Sequence, residues 1–255
     1  MNIAIITGAS SGLGWEFARQ IDRTWELDEI WLIARRENRL KELSEELKTP
    51  SQIFPLDLTD RENIQLLAHQ LEKQNVFVRL LVNSSGYGKF GNYQQVPLQS
   101  NADMIDLNCR SLVEMTQSVL PFMQNGAQII EIASVASFFP LPYMSVYAAS
   151  KAFVLSYSRA LNQELKPKGI SVTALCPYWV KTEFIDVAKA HASATSVTRF
   201  PLITNASDVV SRALKAAGKG RDLCTYGVAD KMLRAIGKLL PHSFIMKVWI
   251  KLQKH

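Results

Sequence analysis

Ser134, Tyr147 and Lys151 are the side chains of this sequence best suited to moving a proton. Tyr147 and Lys151 lie four apart in Tyr-Ala-Ala-Ser-Lys, so a helix there puts both on one face. A free tyrosine hydroxyl has a pKa near ~10, too high for a base at neutral pH. Lowering it to about 7 takes roughly 4 kcal/mol. One cation about 4 Å away, at an effective dielectric of about 20, supplies an energy of that order. Lys151 is expected to be that cation. Ser134 would hold a reactant oxygen against the Tyr147 hydroxyl.

Three elements must position this trio. Ala127-Gln-Ile-Ile-Glu-Ile-Ala133 reads as a short buried strand, which puts Ser134 at its C-terminal end. Open α/β sheets place their ligands at that end. Pro140 and Pro142 keep the following segment out of a helix. From about Val146 the pattern turns helical and carries Tyr147 and Lys151.

The N-terminal stretch points to a phosphate-bearing ligand. Asn2-Ile-Ala-Ile-Ile-Thr7 is a short apolar strand, followed by Gly8-Ala9-Ser10-Ser11-Gly12-Leu13-Gly14 and a helix beginning near Leu13. Glycines at a strand-to-helix turn let the backbone approach a pyrophosphate, and the helix N-terminus supplies N–H donors. The second strand, Glu29–Ala34, ends about 20 residues beyond this loop, where an acid would bind the ribose 2′-hydroxyl of NAD. Arg35 and Arg36 stand there instead. A guanidinium binds a 2′-phosphate bidentately, with Ser10 close by, so the expected cofactor is NADP(H).

Further along, residues 37–48 form an amphipathic helix, and a third strand runs from Gln52 towards Asp57-Leu58-Thr59-Asp60. Asp57 could accept from an adenine amino group or cap the next helix. Arg79–Asn83 is a fourth strand leading into the small-residue turn Ser84-Ser85-Gly86, which lets a flat cofactor pass closely. A long helix from about Ala102 to Met123 carries Asn108 in its interior, where an unbonded amide would be costly. Ile170–Cys176 is a further strand, and Pro177-Tyr178-Trp179-Val180-Lys181-Thr182 leaves its C-terminal end. Residues 183–206 are small and polar, as a lid over a substrate would be. A helix near 208–217 and a short strand near 222–226 complete the sheet. The expectation is an α/β fold, a Rossmann-like doubly wound parallel sheet of about seven strands in one domain.

At 255 residues the chain can bury one large core. No apolar run is long enough to span a bilayer, and no signal peptide is evident, so a cytoplasmic protein is expected. Cys109, Cys176 and Cys224 suit reduced core positions, and the four histidines show no ligand spacing; no metal is expected. Residues 231–255 hold six of the 29 basic side chains and no acid. The other 23 balance the 23 acids, so the net charge of +6 belongs to the tail. Nucleic-acid binding would need basic residues spread over a face, and none is expected.

Taken together, the motifs resemble those of the short-chain dehydrogenase/reductase family over residues 2–226. The elements that carry the resemblance are Thr7-Gly8…Gly12-x-Gly14, Asp57-Leu58, Asn83…Gly86, Asn108, and Ser134 followed by Tyr147-x-x-x-Lys151. The resemblance implies that Tyr147 is the general acid/base, that Ser134 orients the carbonyl or alcohol oxygen, and that Lys151 lowers the Tyr147 pKa while binding nicotinamide ribose. Asn108 would complete a water relay. Gly8, Ser10, Ser11, Gly12, Leu13 and Gly14 would hold the pyrophosphate side. Ser84, Ser85, Pro177, Val180 and Thr182 would line the nicotinamide half. The chain departs from the family at Ser84-Ser85, where Asn-Ala is usual, and at Tyr178, where glycine is usual. A tyrosine there would lie across the substrate mouth with Trp179.

The expected activity is NADP(H)-dependent interconversion of a ketone or aldehyde with an alcohol. The alternative is a non-catalytic NADP-binding sensor or scaffold on the same fold. The resemblance also implies a homodimer or homotetramer. Residues 227–255 read as a basic, amphipathic helical extension: Phe244, Ile245, Val248, Trp249 and Leu252 share one arc, and Lys247, Lys251 and Lys254 another. That apolar arc would cap the substrate cleft, meet a second subunit or lie peripherally on a membrane. A steroid-like or lipid-like substrate would fit such an arc.

Overall fold

A computed structural model describes residues 1–190 and 197–253. Seven parallel strands form one sheet: β1 (Asn2–Thr7), β2 (Glu29–Ile33), β3 (Ser51–Phe54), β4 (Phe77–Asn83), β5 (Gln128–Ile132), β6 (Ser171–Cys176) and β7 (Leu223–Thr225). Their order is β3-β2-β1-β4-β5-β6-β7, so the winding reverses between β1 and β4, where doubly wound sheets bind ligands. The central strands are apolar in nearly every residue because helices cover both faces. The architecture is the expected Rossmann-like one.

One face is covered by α1 (Gly12–Thr24), α2 (Glu37–Glu46) and α8 (Ala206–Ala217). Phe17, Ile21, Leu40 and Val210 pack there against Ile6, Leu32 and Ile130. The other face is covered by α3 (Arg61–Gln74), α5 (Leu112–Val119) and α6 (Ser145–Leu165). Leu67, Met115, Val119 and Leu161 pack there against Ile5, Leu81 and Ile129. Asp60 caps α3 by accepting from the Glu62 amide, and Asn75 ends it in the left-handed conformation.

Several expected boundaries shift. β3 ends at Phe54 rather than nearing Asp57, because the Leu56 amide, the next donor in line, turns back to the Phe54 carbonyl at 2.9 Å. The long helix starts earlier and is not regular. α4 (Leu98–Ile105) passes into a π-helical stretch, Asp106–Ser111, before α5. Side chains of that stretch bond outside their own helix: Ser111 Oγ to the Leu58 carbonyl at 2.6 Å, Arg110 to the Thr59 carbonyl at 2.6 Å, and Asn108 to both backbone groups of Tyr87. The widened turn lies where these bonds converge, and such turns recur at functional sites. The expected lid contains a short helix, α7 (Phe184–Lys189), and α8 begins at its far end. Residues 191–196 of that lid lie outside the described residues. The C-terminal extension is two helices, α9 (Gly227–Leu239) and α10 (His242–Gln253). Among the described residues no helix is long and apolar enough to cross a membrane.

Glu131 is fully buried in β5, on the face shared with α5 and α6. Burial pushes its carboxyl up to about 7, while hydrogen bonds from Asn83 and Thr116 and the Lys151 charge oppose the rise. The Thr116 hydroxyl has one proton but two acceptors in reach, the Leu112 carbonyl at 2.7 Å and Glu131 Oε1 at 2.9 Å. A protonated Glu131 resolves that conflict. The native state therefore binds a proton more tightly than the unfolded chain, and stability falls as pH rises from about 4.5 to 7. Glu131→Gln should remove that loss. Thermal melts should show little change at pH 5 and a more stable variant at pH 7, by at most about 3 kcal/mol.

Candidate active site

At the C-terminal end of β1, Thr7 is buried, and its hydroxyl accepts from the amides of Ser84 and Ser85, both at 3.0 Å. That ties the turn after β4 to the glycine loop across the switch point. The loop is tight. Gly8 has φ +66°, and a β-carbon there would meet the Ser84 carbonyl oxygen at 2.7 Å. A β-carbon on Gly14 would lie 2.3 Å from the Gly8 carbonyl oxygen, so only glycine lets α1 start this close to the loop. Gly12 faces the side chain of Thr182. Ser10, Ser11 and Leu13 line the same cavity.

At the end of β2 the two arginines part company. Arg36 donates from Nε to Ser10 Oγ and from Nη2 to the Ser10 carbonyl, each at 3.2 Å. Its Nη2 also pairs with Glu183 Oε2 at 2.9 Å. Arg35 leans towards Asp57, 3.7 Å away. Burial alone would raise the Asp57 pKa, but the Thr59 amide and hydroxyl and the Arg35 charge hold it below the usual carboxylate value. Asp57 is thus a turn residue, accepting twice from Thr59, and it also lines the cavity. Leu58 is buried beside it.

Ser134 follows β5, and its hydroxyl accepts from the Ala136 amide at 3.1 Å. Tyr147, Ser150 and Lys151 point inward from the first turns of α6. Lys151 Nζ donates to the Ile132 carbonyl at 2.6 Å. Asn108 Nδ2 donates to the Tyr87 carbonyl and to Ser150 Oγ, and its Oδ1 accepts from the Tyr87 amide. Gly86 lies beneath: a β-carbon there would sit 2.8 Å from Asn108 Oδ1 and 3.4 Å from Lys151 Nζ. Asn83 points away from the cavity, to Thr116 and Glu131.

One electrostatic expectation is corrected. Burial pushes the Tyr147 phenol up to about 12, although a hydrogen bond from Ser134 works the other way. The lysine does not offset this, because its ammonium is turned to the Ile132 carbonyl, 5.9 Å from the Tyr147 ring centre. Lys151 itself is drawn down to about 8 by burial. The phenol is therefore protonated at neutral pH.

These parts line a cavity of about 1070 Å³, above the usual range of roughly 300–1,000 Å³ for one small ligand. It runs from Gly8, Arg36 and Asp57, past Ser84, Ser85, Pro177, Val180 and Thr182, to Ser134, Tyr147 and Lys151. Asn108 and Gly14 stand behind the wall rather than on it.

The family model for short chain dehydrogenases matches residues 2–192. The chain belongs to the short-chain dehydrogenase family. A sulfoacetaldehyde reductase from Chromohalobacter salexigens is 37% identical over 202 residues, covering 76% of this chain and 79% of that protein. A very-long-chain 3-oxoacyl-CoA reductase from Anas platyrhynchos is 34% identical, covering 73% of this chain and 62% of that protein. A solved short-chain dehydrogenase from Sphingobium yanoikuyae, in complex with NADPH, superposes with a TM-score of 0.78 at 27% identity, covering 97% and 96% of the two chains. The protein is thus a short-chain dehydrogenase, an oxidoreductase acting on alcohol or carbonyl groups.

Several contacts of this dehydrogenase's site lay beyond the sequence reasoning. Thr7 was visible as the opening residue of the glycine motif, but its bonds to the turn after β4 were not. Glu183 and Phe184 lay in a stretch without pattern, yet Phe184 packs on Tyr147 with ring centres 5.2 Å apart. Gly88 leaves room for that contact, since a β-carbon there would lie 2.9 Å from Phe184. Tyr178 and Trp179 turn into an aromatic cluster with Phe90 and Phe200, with Trp179 nearly buried. The apolar arc of α10 faces the cavity: Phe244, Ile245, Val248, Trp249 and Leu252 line it, and Trp249 Nε1 donates to the Pro142 carbonyl at 2.9 Å.

Gly86→Ala should destabilise the protein by about 1–3 kcal/mol, because Asn108 is held by three bonds and cannot yield. Gly218→Ala, where the added carbon meets only an ordinary contact at 3.4 Å and φ is −61°, should be neutral or slightly stabilising. Thermal melts of the two variants provide the comparison.

Proposed function

We propose that the protein is an NADP(H)-dependent carbonyl reductase that interconverts a ketone or aldehyde with an alcohol. The observation that carries this is the single cavity joining the Arg36–Ser10 pair and the glycine loop to the Ser134–Tyr147 pair. The donor set fits a phosphorylated dinucleotide. Glycines leave the loop backbone open beside a helix N-terminus, and cations rather than an acid stand at the end of β2. When bound, the nicotinamide supplies or accepts a hydride at its C4.

The residues of the chain do the rest. Ser134 hydrogen-bonds the substrate oxygen and sets it beside Tyr147. The Tyr147 phenol, protonated at neutral pH, donates its proton to that oxygen in the reductive direction and takes one back in the oxidative direction. Lys151, held by the Ile132 carbonyl, offers its remaining ammonium protons to ribose hydroxyls. Asn108 fixes the Tyr87 backbone and Ser150 around that lysine, on the route a relay to water would take. Nothing in the site favours a sensor or scaffold instead.

The substrate chamber is walled by Leu141, Met144, Leu233, Ile236 and the α10 arc. The two relatives carry names of opposite polarity, a sulfonated aldehyde and a very-long-chain acyl thioester. The wall here favours the apolar class, a lipid-like or steroid-like ketone. The outward face of α9 carries Val228, Met232 and Leu239 at 72%, 59% and 80% exposure, among Lys231 and Lys238. The arc of α10, expected as one candidate for a membrane contact, lines the cavity, so a peripheral contact with an anionic bilayer, from which such a substrate would come, falls to this face of α9 instead. Ile105 and Phe153, half exposed on the adjoining α4 and α6, support a homodimer or homotetramer. Buried free thiols at Cys176 and Cys224 suit the reducing cytoplasm.

Tyr147→Phe should lower turnover by about 10²–10⁴-fold. The variant should bind NADPH within about twofold of the parent by fluorescence titration, and retained turnover would reject the proton donor. In co-sedimentation, the parent should pellet with phosphatidylserine vesicles but not with phosphatidylcholine vesicles. Met232→Glu with Leu239→Glu should abolish pelleting while leaving reduction of a short soluble ketone intact, since neither residue lines the cavity. Equal pelleting of parent and variant would exclude this face as the contact.

A further inference from the structure

Glu183 stands where the cofactor's 2′-phosphate would be read. A guanidinium has five N–H donors and grips an oxyanion best with two adjacent ones. In Arg36 the Nε–Nη2 edge is on Ser10, through Oγ and the backbone carbonyl. The Nη1–Nη2 edge shares Nη2 with Glu183, whose Oε2 is 2.9 Å away. Among the described residues nothing bonds Nη1. A phosphate on the open edge would therefore meet the Glu183 carboxylate at one of its two donors, and the two anions would repel. Both side chains are about half exposed, at 44% and 51%, so the carboxylate has water to turn into.

The neighbours of Glu183 give its position weight. Thr182 packs against Gly12 of the glycine loop, and Phe184 packs on Tyr147. Three consecutive residues thus touch the pyrophosphate loop, the arginine of the ribose site and the ring of the proton donor.

We propose that Glu183 is a specificity-determining residue, an internal anion that competes with the 2′-phosphate of NADP(H) for Arg36. This rests on the reading of Arg36 as the phosphate-binding residue. The native carboxylate stands in for the phosphate on Arg36 and narrows the margin by which NADP(H) is preferred over NAD(H). Loading NADP(H) moves the Glu183 side chain off Nη2.

The test is fluorescence titration of the purified protein with NADPH and with NADH at low salt, without substrate. Glu183→Gln keeps the size of the side chain and removes its charge. It should tighten NADPH about two- to fivefold, the range of an exposed ion pair, and leave NADH within experimental error. The gain should vanish when Arg36→Ala is also present, because there is then no guanidinium to compete for. Arg36→Ala alone should weaken NADPH far more than NADH. If it does so while Glu183→Gln leaves NADPH unchanged or weaker, Glu183 does not compete and the proposal falls. A Glu183→Gln gain shared equally by NADH overturns it as well. If Arg36→Ala weakens both cofactors alike, the phosphate reading of Arg36 fails first and takes the proposal with it.

Discussion

The site depends on one buried charge held without a carboxylate in contact. Lys151 is only 5% exposed, and its ammonium is fixed by the Ile132 carbonyl at the end of β5. Removing an ammonium from water costs several kcal/mol, which is why its pKa falls to about 8. The surroundings are arranged to make that burial tolerable. Glu131, one residue back on β5, raises the lysine's pKa only to the extent that it ionises, which burial defers to about pH 7. Gly86 has no side chain to crowd the nitrogen. The π-helical turn sets Asn108 beside the same point. Tyr147, one turn earlier on α6, is buried beside the same point, 5.9 Å from the ammonium to its ring centre.

Electrostatics and steric economy are linked here. The glycines at positions 8, 14 and 86 all face atoms that a methyl group would strike, two of them backbone oxygens. Each marks a place where two elements approach more closely than side chains allow. Thr7 adds the corresponding polar tie, one hydroxyl satisfying two amides between β1 and β4. The switch point of the sheet is therefore a shaped cleft with its hydrogen bonds already assigned, as a preorganised site requires.

Much of this was legible in the sequence, for reasons that differ from element to element. β1, β2 and β4–β6 announce themselves because buried parallel strands need unbroken apolar runs. The glycine loop is legible because its backbone geometry excludes other residues. Ser134, Tyr147 and Lys151 are legible because strand end and helical turn fix their mutual position. The boundaries of β3 and the long helix were not, since a backbone turn and a set of side-chain bonds to distant carbonyls decided them. The tyrosine pKa was misjudged because spacing places Lys151 near the phenol but cannot say which oxygen its ammonium will choose. Glu183 and Phe184 were invisible, as their importance comes from contacts with Arg36 and Tyr147, far away in the chain.

The bond from Trp249 to the Pro142 carbonyl has a consequence for how such a protein can diversify. Ser134, Tyr147 and Lys151 all stand before residue 185, within the sheet and its crossovers. Much of the cavity's apolar wall comes from α9 and α10, which belong to no sheet crossover, and that indole moors α10 to the loop entering α6. Substitutions in α10 can widen, narrow or recolour that wall without touching Ser134, Tyr147 or Lys151. That wall is thus free to vary while the polar end of the cavity stays constant.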